Sequence, residues 1–236
     1  MKCALHSGGC STCENRKHTE WRDLDGESLQ LLEDRMITHL YAPGEVIYHQ
    51  GDEAAGIYCI KSGLVGERHV NADGNSLLVR LDHPGSTLGY QEFLTRQEHH
   101  HTAEVMQTTE ACFIDRATIA RLLEKNPSIG NRFLQHSLKD TREMEDAYVA
   151  SATLDVQTRL LHVLLVLCER YGRRNKDGTY TLEIPVAKKD LAELVGTAPE
   201  SISRTIRKLN KGQLVHINGP TARFPSLAAV YSEISL

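Results

Sequence analysis

The spacing of apolar residues changes character several times along this chain. Over residues 21–40, Leu24, Leu29, Leu31, Leu32, Met36, Ile37 and Leu40 fall on a rough 3.6-residue repeat, which predicts a helix. From Tyr41 that repeat stops. Short runs rich in Val, Ile, Tyr and Leu are punctuated by Pro43-Gly44, Gly51-Asp52, Gly56, Ser62-Gly63, Asp73-Gly74-Asn75 and Pro84-Gly85. Turn residues between short strands predict an all-β sandwich or barrel, with Asp73-Gly74 as a hairpin turn. The β pattern continues through 102–107 and 111–114.

Helical spacing returns at 115–124 and is broken by Asn126-Pro127. A long helix is then predicted from 127 or 128 to 154. Along it Leu134, Leu138, Thr141, Glu145, Tyr148 and Ala152 alternate at three and four residues, a seam suited to a second copy of the helix. A different face of the same helix can pack on its own β unit. Residues 156–171 contain LLHVLLVLC, a helix for a second core, ended by Gly172. A strand is predicted at 179–184.

Residues 186–211 read as two short helices around a turn at Gly196. Leu191, Leu194 and Val195 share a face of the first; Ile202, Ile206 and Leu209 form the packing stripe of the second. Opposite them Glu200, Ser203, Arg204 and Arg207 make a polar stripe at i, i+3, i+4, i+7. Thr197 is the expected N-cap, with Pro199 in the first turn and Glu200 at the capping-box position. This is a helix-turn-helix pattern, whose second helix enters the DNA major groove. Strands at 213–217 and 222–224 around Asn218-Gly219-Pro220 add a wing. The expected class is therefore α+β, in four parts: an arm (1–20), a β-roll sensor (21–126), a dimerisation helix (127–155) and a winged-helix DNA-binding domain (156–236).

Charge sharpens this picture. The chain carries net −4, yet its helix-turn-helix holds six basic residues (Lys188, Lys189, Arg204, Arg207, Lys208, Lys211) against three acidic ones (Asp190, Glu193, Glu200). Confined positive charge suits phosphate contacts there, Lys208 among them. The N-terminus has no apolar leader segment, and no run is long enough to span a membrane, so a cytoplasmic location without membrane contact is expected. Three of the six cysteines, Cys3, Cys10 and Cys13, fall in the first thirteen residues beside Gly8-Gly9. In a reducing compartment such clustering points to metal or redox chemistry. An arm so poor in packing residues is expected to order only when a ligand gathers its cysteines. Cys59 and Cys168 read as small buried hydrophobes.

A roll containing Pro43-Gly44-Glu45-Val46-Ile47, Gly51-Asp52 and Ile57-Tyr58-Cys59-Ile60-Lys61-Ser62-Gly63, followed by a long helix and a winged helix, resembles the CRP/FNR superfamily of bacterial transcription regulators. Within it the chain is most similar to the FNR branch, which carries an oxygen-labile 4Fe-4S cluster. Glu200-Ser201-Ile202-Ser203-Arg204 resembles that branch's recognition helix, which reads TTGAT-type half-sites. Glu200 can accept from a cytosine amine, and Arg204 can donate twice to a guanine. The resemblance implies a cluster held by Cys3, Cys10, Cys13 and Cys112. The order of spacings departs from the FNR pattern, because the wide gap, Cys3 to Cys10, comes first.

The resemblance further implies a homodimer on palindromic double-stranded DNA, controlled by oxygen, nitric oxide or redox state, with RNA polymerase as a further partner. In CRP, cyclic AMP uses a Gly-Glu helix and a nearby Arg. Here Gly89-Tyr90-Gln91-Glu92-Phe93-Leu94 retains Glu92, but no Arg precedes Thr102, which argues against cyclic nucleotide. His99, His100 and His101 read as an exposed loop. The alternatives are the same fold answering to zinc, haem or a Cys10–Cys13 disulfide, and a cupin-like metal enzyme. For the enzyme, the roll lacks a His-x-His with a following Glu on a strand.

Overall fold

The computed structural model describes residues 9–234, so Cys3 lies outside the described residues. The chain forms two compact units that divide after Thr141.

In the first unit, α1 (Gly26–Arg35) starts behind Asp25, whose carboxylate accepts from the Ser28 N–H at 2.8 Å. Leu32 on this helix is fully buried. The helix expected over 21–40 is thus shorter at both ends, and Ile37–Tyr41 is instead strand β1. It pairs antiparallel with β6 (Thr102–Asp115), from Ile37 opposite Phe113 to Tyr41 opposite Thr109. The physical reason is that Ile37 and Leu40 stay 53% and 59% exposed. Their helical spacing would bury little, whereas the ladder satisfies five residues of backbone.

The roll is completed by β2 (Val46–Tyr48), β3 (Gly56–Val70), β4 (Ser76–Asp82) and β5 (Thr87–Leu88). The sheet order is β1-β6-β3-β4, with β2 on β6 and β5 on β3, all antiparallel. The two segments expected at 102–107 and 111–114 are one continuous strand, β6. Its pairing with β3 shifts register between Ile60 and Val65, which bends the sheet. Gly63 sits at this bend with φ +99°, and a Cβ there would lie 2.3 Å from Thr109 Oγ1. The β3–β4 turn is the expected one: the Asn71 side chain accepts from the N–H groups of Asp73 and Asn75, and Gly74 has positive φ.

Helix α2 (Tyr90–Thr95) and helix α3 (Arg116–Lys125) cover the roll, as does the start of α4 (Ser128–Thr153). Trp21, Leu32, Ile57, Tyr90, Phe93, Ile114, Ile119, Leu122, Ile129 and Phe133 pack as one core between sheet and helices.

In the second unit, α5 (Val156–Tyr171) buries Leu160, Leu161, Leu164, Leu165, Leu167 and Cys168. Strands β7 (Arg173–Arg174), β8 (Tyr180–Glu183), β9 (His216–Asn218) and β10 (Thr221–Phe224) form a sheet ordered β7-β8-β10-β9. Helices α6 (Lys188–Val195), α7 (Pro199–Lys211) and α8 (Leu227–Ile234) complete the unit. Between α6 and α7, Gly196 adopts the left-handed conformation at φ +69°, a turn that glycine makes without strain. The N-cap of α7 is Ala198 with no side-chain capping bond, not Thr197. Pro199 opens the helix instead, where its missing N–H costs nothing.

Candidate functional site

Residues 9–18 are not a loose tail. Two 3-10 turns, Cys10–Thr12 and Glu14–His18, lie against the roll. The Ser11 N–H donates to Glu33 Oε1 at 2.6 Å, Asn15 Nδ2 to Lys61 O at 2.8 Å, and Arg16 Nη1 to Arg22 O at 3.2 Å. The expectation of an arm ordered only by a ligand is corrected for these residues: hydrogen bonds to α1 and β3 already seat it.

The turns deliver Cys10 and Cys13 to a cavity of about 430 Å³, counting its opening to solvent. Cys59 and Cys112 also line it and are directly opposite each other on β3 and β6. Trp21, Leu32, Met36, Ile60 and Ile114 supply apolar wall; Arg16 and Lys61 bring positive charge. Of the four cysteines expected as ligands, three meet here, and Cys3 lies outside the described residues. Cys59, expected as a small buried hydrophobe, does pack against the core of the roll, but it keeps partial exposure and its Sγ accepts the Trp21 Nε1–H at 3.1 Å. Cys168 is buried in the C-terminal core, as read.

Burial pushes the Cys10 thiol up to about 12, and neighbouring Cys13 adds to this. Burial raises Cys59 well above the ordinary thiol range. It also raises Cys112, against the Thr38 hydroxyl and Lys61, which lower it. As bare thiols these three stay protonated at neutral pH. A soft cation would repay the cost of deprotonating them, so the donor set suits an iron–sulfur or zinc centre.

The root of the arm is tied to α4. Glu20 is 3% exposed. Its Oε2 accepts from Thr87 Oγ1 at 2.7 Å, its Oε1 lies 2.6 Å from His136 Nδ1, and its carbonyl accepts from Arg132 Nε at 2.6 Å. Burial alone would lower the His136 pKa, but the Glu20 hydrogen bond and charge, with Asp140, raise it overall. His136 stacks on Tyr90, whose hydroxyl donates to Asp140 at 2.9 Å. Arg80 closes this network with contacts to Glu67 at 2.8 Å, Asp140 at 3.1 Å and Asp82 at 3.3 Å. Three carboxylates around one guanidinium leave it little to offer a phosphate.

The histidines do not form a simple exposed loop. His99 is buried and stacks on Tyr48 at 3.7 Å. His69, His100 and His101 bring ligand atoms within 4.8 Å of one another.

In the second unit Ile202 and Leu209 bury the inner face of α7. Glu200, Arg204, Arg207 and Lys208 are exposed, and Ser203 is half-buried. Ser203 Oγ donates to Pro199 O at 3.0 Å, which leaves its lone pairs outward. Arg204 rests on Ser201 Oγ at 3.1 Å, and Arg207 on Ser203 O at 3.3 Å. Because α7 has no side-chain cap, Glu200 is not spent on a capping box. Two supporting residues carried no signal in the sequence. Asn210 bonds both the N–H and the carbonyl of Ile217 on β9, fixing the wing to α7. Arg159 donates to Leu154 O and Gly196 O, bracing the turn. The predicted seam on α4 is open: Leu134, Leu138 and Tyr148 are 59%, 61% and 75% exposed. Thr141, Glu145 and Ala152 are exposed as well.

Residues 38–126 match the cyclic nucleotide-binding domain, and residues 158–229 the Crp-like helix-turn-helix domain. The nitrogen fixation regulation protein FixK of Bradyrhizobium diazoefficiens is 24% identical over 93% of this chain and 94% of its own length. The transcriptional activator protein FnrL of Cereibacter sphaeroides is 21% identical over 89% of this chain and 85% of its own. The solved structure of FixK2 from Bradyrhizobium japonicum superposes with a TM-score of 0.73 at 17% identity, covering 84% of this chain and 96% of that one.

Proposed function

Because the chain belongs to the CRP/FNR family of DNA-binding transcription regulators, and not to a family of enzymes, we propose that it is a homodimer whose grip on a palindromic operator is set by a 4Fe-4S cluster. What carries this reading is the cavity in which Cys10 and Cys13 of the arm meet Cys112 of the roll. Of the four cysteines that line it, burial keeps Cys10, Cys59 and Cys112 protonated as bare thiols. They become useful once deprotonated onto a metal centre. The same sulfurs would serve zinc, which brings no acid-labile sulfide.

When bound, a 4Fe-4S cluster supplies an inorganic centre that oxygen or nitric oxide can destroy. The chain's own residues turn that into a signal. Cys10 and Cys13, fastened to Cys112, hold the arm against α1 and β3. Glu20, at the arm's root, then keeps Arg132 and His136 of α4 in one arrangement. The exposed residues Leu134, Leu138, Thr141, Glu145, Tyr148 and Ala152 meet their counterparts on a second copy. Two α7 helices then enter successive major grooves about 34 Å apart. Glu200 and Arg204 read bases in TTGAT-like half-sites, Ser203 touches a base or phosphate, and Arg207 and Lys208 hold phosphates. Arg80, committed to Glu67, Asp82 and Asp140, supports a signal other than cyclic nucleotide. RNA polymerase is the expected next partner, and the cytoplasm the expected compartment; no helix among the described residues is long and apolar enough to cross a membrane.

The test is purification without air. About four iron and four acid-labile sulfide per chain are expected. Replacing Cys10, Cys13 and Cys112 by Ser should abolish both and weaken operator binding. Iron-poor wild-type protein, or a triple variant that binds the operator as tightly as wild type, would contradict the reading.

A further inference from the structure

We infer that Cys59, and not Cys3, completes the thiolate set around the cluster; the inference rests on the iron–sulfur reading above. Four cysteines line the one cavity: Cys10, Cys13, Cys59 and Cys112. They come in two pairs of opposite character. Cys10 opens the first 3-10 turn of the arm, and Cys13 joins it to the second. Cys59 and Cys112 sit on paired strands, directly opposite each other. Residues so placed in an antiparallel pair project from the same face with Cβ atoms about 5 Å apart. A cube of iron and sulfide needs thiolates from four directions, and two from the sheet plus two from the arm meet that need.

Cys59 packs beside the core of the roll, and its sulfur also has polar neighbours. Its Sγ accepts the Trp21 Nε1–H at 3.1 Å, and Thr87 Oγ1 lies 4.0 Å away. An indole N–H gains most from an electron-rich acceptor, and donors to ligand sulfurs orient them and tune the centre. Trp21 is itself 1% exposed and wedged edge-on against Phe133 at 5.8 Å, so the donor cannot drift away. Cys59 thus stands opposite Cys112, with its sulfur oriented by Trp21, in the cavity that Cys10 and Cys13 also line. This also accounts for the unusual order of spacings in the arm, because Cys10 and Cys13 are then the only ligands that the arm must supply.

The experiment compares air-free wild type with Cys3→Ser and Cys59→Ser by iron, acid-labile sulfide and visible absorbance. Cys3→Ser should match wild type; Cys59→Ser should lose most of both elements. The reverse pattern overturns the assignment while leaving the cluster reading intact. Wild type devoid of iron and sulfide sinks the cluster reading itself. Sulfide is essential, because iron caught by His69, His100 and His101 would bring none. A second measurement avoids any folding defect in the variants. Wild type carrying its cluster is alkylated without air and mapped by mass spectrometry, before and after iron is stripped by a chelator. Cys3 should label before stripping, and Cys59 only after it. A Cys3 that stays protected until iron leaves would overturn the proposal. The chain's single tryptophan adds a spectroscopic signature: Trp21 emission should be quenched in the loaded protein and recover on stripping. Emission unchanged by stripping would count against a cluster beside Cys59.

Discussion

Arg204 and Lys208 stand one turn apart on α7, both exposed, yet their side chains suit different work. Arg204 presents a planar fork that can take both acceptors of a guanine; Lys208 is a point charge suited to phosphate. Arg204→Ala should therefore cost about 1–3 kcal/mol against the cognate half-site and relax discrimination at one base pair. Lys208→Ala should weaken binding to every sequence alike and lower the salt slope by about 1. Titrations of matched and singly mismatched operators at several salt concentrations separate the two. At this scale the exposed polar stripe of α7 was legible, because it is written in local spacing. Cys59 was not. Its significance comes from standing opposite Cys112, fifty-odd residues away in sequence, and pairing register across a bent sheet leaves no local trace.

Elements carry two further predictions. Asp115 caps α3: its carboxylate accepts from the Thr118 N–H at 2.8 Å and from the Thr118 hydroxyl at 3.0 Å. The backbone hydrogen bond from Thr118 holds its pKa below the ordinary value of 3.8. The stabilisation is present above that value and lost as pH falls through the lower, folded one. Asp115→Ala should cost about 1 kcal/mol in urea unfolding at neutral pH. Asp115→Asn, still a good cap, should remove that acid sensitivity.

The Glu20–His136 contact between arm and α4 has the opposite sign. The folded pKa of His136 is raised above 6.5. Its contribution is complete below 6.5 and is lost as pH climbs through the folded value. Thermal unfolding from about pH 6 to about pH 9 should show this alkaline loss, and His136→Gln should flatten it. Helices α3, α4 and α5 were readable to within a residue or two because their periodicity and caps are local. The strand at 37–41 was not: its apolar spacing mimics a helix, and the free edge of β6 decides the matter. The arm's own hydrogen bonds to Glu33 and Lys61 were likewise invisible, since each partner lies far along the chain.

For the whole molecule, the prediction concerns association. Leu138 is 61% exposed on α4, and a face of that kind invites a partner. Leu138→Glu should shift sedimentation from dimer to monomer and weaken operator binding in the same concentration range. A variant that stays dimeric would place the interface elsewhere. The broad plan of roll, long helix and winged helix was legible because turn density, helical seam and helix-turn-helix each announce themselves. The cavity where arm and roll meet was only half legible: the sequence offers its cysteines but not their meeting place.

The central claim is that the cysteine centre and the DNA-reading helices are energetically coupled. The most direct test measures operator affinity of one air-free preparation before and after its iron is removed, with protein concentration and salt held fixed. The account predicts a loss on the order of tenfold or more on iron removal, within the usual range for coupled sites. Equal affinity in the iron-loaded and iron-free protein would contradict it.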